Sequence, residues 1–76
     1  MDKNRETRLC HYVKVAKEKG YRQETIEMGF MLSMSTDMID KYGTKEKSLE
    51  EVIKLCEKHD NPQEFIGAIG VLIGID

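Results

Sequence analysis

The sequence predicts an all-α protein: one compact bundle of about five short helices. Three observations lead there. Apolar residues recur three and four positions apart in long stretches, the period of a helix with one buried face. The 76 residues contain a single proline and few turn clusters, which argues against an all-β fold. Hydrophobic content of 39% beside 34% charged residues fits a folded globule rather than a disordered chain. The length allows one domain, 1–76, with a modest core that gains stability from a partner or from self-association.

Helix one is expected over residues 5–19, where Leu9, Tyr12, Val13 and Ala16 form one stripe and Gly20 ends it. Helix two runs from Tyr21 to about Met31, with Ile26, Gly29, Phe30 and Leu32 inward. Ser35 or Thr36 caps a short helix three, Thr36 to Tyr42, and Gly43 closes it. Residues 44–47 read as a polar connector. Ser48-Leu49-Glu50-Glu51 then reads as a capping box opening helix four, which reaches about Lys58. There Leu49, Val52, Ile53 and Cys56 make the clearest stripe in the chain, with Glu50 and Lys54 paired outside. Asn61 caps helix five, Pro62 to Ile73, with proline at its first position. That helix is apolar nearly all round and is interrupted by Gly67 and Gly70, with Gly74 after it. It is either the central core helix or, over residues 65–75, a homodimer contact; a late strand, Val71 to Ile75, competes with its last turn.

Residues 25–43, TIEMGFMLSMSTDMIDKYG, carry the one motif that points to an activity. Met28, Gly29, Leu32, Met34, Ile39 and Tyr42 fall where two angled helices keep apolar and small residues. The stretch resembles the helix-turn-helix superfamily. The resemblance implies that Thr36 to Tyr42 enters the DNA major groove, with Thr36 and Lys41, and Arg8 and Lys14 of helix one, as DNA contacts. The residues depart from the pattern at two points. Ser33 replaces the turn glycine, and Asp37 and Asp40 set two carboxylates where phosphates would lie, so charge disfavours nucleic acid.

Charge is polarised. Residues 1–23 hold seven basic and three acidic residues, while residues 24–76 hold five and eleven, for a net charge of −2. An acidic surface of Asp37, Asp40, Glu46 and Glu50 suits a protein partner with a basic patch. Met31 and Met38 belong to a methionine cluster that serves either an adaptable binding surface or an irregular core. The function expected first is therefore a small non-catalytic regulatory or adaptor protein acting through protein–protein contacts. An inhibitor or accessory factor of nucleic-acid-handling machinery is one such role. The alternative is a DNA-binding transcriptional regulator.

The chain contains no GxxxxGK, GxSxG or HExxH pattern, and no enzyme activity or cofactor is expected. Cys56 and His59 stand three apart, but Cys10 and His11, being adjacent, diverge by about 100° on a helix and chelate poorly together. No metal site is expected. MDKNRETR opens the chain without a signal-peptide pattern, no apolar run spans a bilayer, and two cysteines make no disulfide framework. A cytoplasmic protein with reduced thiols is the expectation.

Overall fold

A computed structural model of the chain describes residues 3–74, and the side chains from Thr7 onward. The described residues form five helices: α1 (Lys3–Glu18), α2 (Gln23–Ser33), α3 (Thr36–Tyr42), α4 (Lys45–Lys58) and α5 (Pro62–Ile73). The fold is all-α, with no strand among the described residues.

Local chemistry explains most helix ends. Ser35 accepts the Met38 N–H at 3.3 Å and starts α3, and Asn61 accepts the Gln63 and Glu64 N–H groups at 2.8 and 3.2 Å and starts α5. Gly43 and Gly74 end α3 and α5 at φ of 94° and 83°. The helix, not the late strand, therefore holds through Ile73; Ile75 lies outside the described residues.

Three starts differ from expectation; α1 begins at Lys3 rather than at residue 5. Helix α2 begins at Gln23, because Tyr21 leaves the helical path to bury its ring against Phe65, at 5.4 Å between centroids, and to donate its hydroxyl to the His59 carbonyl. Helix α4 begins one turn early, at Lys45, capped by Thr44, whose hydroxyl accepts the Lys47 N–H at 3.1 Å. The Ser48 capping box does not form. Ser48 is fully buried in the second turn and donates its hydroxyl to the Ser33 carbonyl at 2.5 Å. The expected Glu50–Lys54 pair also yields: Glu50 meets Arg8 at 2.7 Å and Lys54 meets Glu51 at 3.0 Å.

Helix α4 is the centre of the bundle. Its stripe of Leu49, Val52, Ile53 and Cys56 is buried, and it packs against each of the other four helices. Helix α5 lies at the edge instead. Phe65 and Ile69 enter the core, while Gly67 and Val71 face outward. Gly29 is the glycine that packing requires. A Cβ there would stand 2.3 Å from the Tyr12 hydroxyl and 2.9 Å from the Phe65 ring. Val15, outside the expected stripe of helix one, also joins the core.

Candidate functional site

Helix α1 is fastened to α4 and to the turn after it. Arg8 pairs with Glu50, His11 with Glu57 at 3.4 Å, and Lys19 with both the Asp60 carboxylate and the Glu57 carbonyl, at 2.5 and 2.8 Å. The Lys19 hydrogen bond holds the Asp60 carboxyl below its ordinary value. Toward α2 the same helix closes less completely. Tyr12 donates its hydroxyl to the Ile26 carbonyl at 2.6 Å, and burial pushes that phenol far above its ordinary value.

Outward from Tyr12, the space between α1 and α2 opens into a groove of about 380 Å³. Leu9 and Val13 wall it on α1, Ile26 and Phe30 on α2, and Gln23, Glu27 and Met31 stand along the α2 edge. Met31 is 70% exposed, and Met28 on the same helix is 49% exposed. The groove is predominantly apolar, which suits it to another apolar surface rather than to a charged metabolite. A wider recess of about 730 Å³ lies between the starts of α2 and α5, but Arg22 and Glu24 bring opposite charges to it and Gln63 adds a polar wall.

The residues expected at a binding surface are dispersed. Asp37 and Asp40 are exposed on α3, as is Thr36. Glu46 is half-buried, and Glu50, expected to meet a partner, is neutralised by Arg8, expected to meet DNA. Lys41 donates to the Leu72 carbonyl at 2.7 Å and so caps α5 from outside. Lys14 is exposed. The two methionines part company: Met31 is at the surface, whereas Met38 is fully buried and takes no part in any surface. Met28, expected inward, is exposed because α2 turns Ile26, Gly29 and Ser33 to the core. Sequence reasoning missed the groove walls Phe30, Leu9 and Val13 as surface features. Their helical spacing marks them as apolar, but only the divergence of α1 from α2 leaves them open.

The cysteines lie apart in environment. Cys10 is exposed, and Cys56 is buried, with its thiol pushed up to about 11 by that burial. Among the described residues no three of His, Cys, Asp and Glu converge to hold a metal ion. Among them, too, no helix is long and apolar enough to cross a membrane. No protein-family model, no curated protein and no solved structure matches the chain.

Proposed function

We propose that this chain is a non-catalytic regulatory or adaptor protein that acts through protein–protein contacts, with the groove between α1 and α2 as its docking surface. The observation that carries the reading is Met31, 70% exposed at the edge of an apolar groove. An exposed methionine beside aromatic and branched walls costs nothing useful to the free fold, yet adapts readily to an incoming helix face. The acidic side chains of α3, Asp37 and Asp40, face solvent and suit a basic patch on the same or a second partner. The test is a photo-crosslinking residue at position 31, with position 14 as control, exposed to host lysate treated with nuclease. Protein adducts specific to position 31 support the reading. Equal labelling from both positions, or adducts to nucleic acid alone in untreated lysate, would sink it.

A second reading is a helix-turn-helix DNA-binding regulator. It is favoured by the Ser35 cap on α3, the short helix that follows the turn after α2. In that reading Thr36 and Lys14 are the contacts left, since Arg8 and Lys41 are engaged within the chain. Changing Asp37 and Asp40 together to Asn strengthens DNA binding if α3 enters the groove of the duplex and leaves it absent otherwise.

A further inference from the structure

The groove between α1 and α2 holds one charged side chain, Glu27, beside its apolar walls. Gln23 donates its amide to one oxygen of the Glu27 carboxylate at 3.0 Å. Among the described residues the other oxygen has no partner, and no lysine, arginine or histidine pairs with Glu27. An apolar surface with a single uncompensated carboxylate at its edge complements an apolar surface that carries a cation.

The lining also selects the backbone form of the occupant. The Tyr12 hydroxyl is committed to the Ile26 carbonyl, which leaves Gln23 and Glu27 as the polar side chains within reach. An extended strand laid there would turn unpaired backbone N–H and C=O groups toward apolar walls, whereas a helix satisfies its own backbone. Gln23 and Met31 stand about 12 Å apart along α2, a little over two turns. That length takes two apolar side chains one turn apart, and Glu27 lies midway along it.

We propose that the groove takes one amphipathic helix of a protein partner, with two apolar side chains one turn apart seated between α1 and α2 and a lysine or arginine on its flank paired with Glu27. The assignment rests on the docking reading above and supplies the chemistry of the partner.

The experiment titrates the full chain, labelled with ¹⁵N, with three lactam-bridged helical peptides. Two share a pair of leucines four positions apart, flanked by lysines in one and by glutamates in the other; the third keeps the lysines and replaces both leucines with serine. The lysine peptide is expected to shift the amides of Leu9, Val13, Phe30 and Met31, and the serine peptide to leave them in place. The glutamate peptide binds about threefold to tenfold more weakly, the scale of an exposed ion pair. Glu27→Lys reverses that order, and Asp37→Lys on α3 preserves it. Equal affinity for the two leucine peptides overturns the cation, as does a preference that Asp37→Lys removes as fully as Glu27→Lys; groove shifts in either case leave the docking reading standing. Groove amides that shift with chain concentration and no peptide make a second copy the occupant and overturn the partner helix. Groove amides unmoved by every peptide overturn it too, and crosslinking at position 31 then decides the docking reading by itself.

Discussion

Helix α1 meets α4 and α2 in different ways. Against α4 and its following turn it is held by side-chain contacts at three positions: Arg8 to Glu50, His11 to Glu57, and Lys19 to Asp60 and the Glu57 carbonyl. Against α2 it makes one buried hydrogen bond, from Tyr12 to the Ile26 carbonyl, and then diverges to leave the groove. The difference shows what sets the fold and what is left for contacts. Polar latches at the rim of a seam add little each when exposed, but they select one register for a helix that apolar packing alone would let slide. Where no latch spans the gap, apolar side chains such as Phe30 and Met31 remain available.

The point where α1 and α2 do touch is tight, and breaking it has the largest expected effect. Gly29→Ala drives a methyl into the Tyr12 hydroxyl and the Phe65 ring, both fully buried. It lowers stability by about 3 kcal/mol after allowing for alanine's better helix propensity, measured as a fall in the urea midpoint. Tyr12→Phe in the same chain recovers part of that loss, a coupling that a double-mutant cycle measures. The same change at Gly67, where a Cβ meets nothing within 4 Å, raises stability by up to about 1 kcal/mol.

Ser48→Ala tests the α2–α4 contact. It leaves the buried Ser33 carbonyl without the hydroxyl that reaches it from 15 residues away, and costs about 1–2 kcal/mol in the same unfolding measurement. Were Ser48 an exposed cap on a frayed helix start, the loss would be smaller and Thr44→Ala would cost nothing.

The thiols separate core from surface. At neutral pH Cys10 reacts with a thiol reagent at once and Cys56 only as the fold opens, read by mass spectrometry of labelled peptides. Because burial raises the folded Cys56 value from the ordinary 9.0 to about 11, the stability it contributes is complete below pH 9. It falls as the unfolded chain loses its proton between there and about 11. Cys56→Ala flattens that part of the alkaline profile.

The smallest effect belongs to the solvent-exposed latch. Lys19→Ala destabilises slightly at pH 7. The Asp60 part of that difference is present above the ordinary carboxylate value and disappears as pH falls through the depressed folded value, since the protonated carboxyl no longer rewards the lysine. Thermal unfolding of both chains across the acid range checks the convergence.

Much of the fold was legible in local signals. The limits of α3 and α5 follow from Ser35, Gly43, Asn61, Pro62 and Gly74, because a cap, a fixed proline φ and a left-handed glycine act within one turn of themselves. The buried stripe of α4 follows from the spacing of Leu49, Val52, Ile53 and Cys56. Met31 and Met38, both named as binding candidates, were not separable in the sequence. Both lie in one apolar run, and only packing puts one at the surface and the other in the core.

What the sequence by itself determined is the class of fold, the presence of all five helices with the limits of α3 and α5, and the polarity between a basic front and an acidic body. What only the tertiary structure decided is where distant groups meet. Ser48 became a buried donor instead of a cap because the Ser33 carbonyl came within reach, and Arg8 and Glu50, 42 residues apart, cancelled each other. The groove lies beside the seam where α1 is held to α2 by the Tyr12 hydroxyl alone, whereas several side chains hold α1 to α4. Helix periodicity reports which side of a helix is apolar; whether a neighbouring helix covers that side depends on contacts far along the chain, which no local pattern encodes.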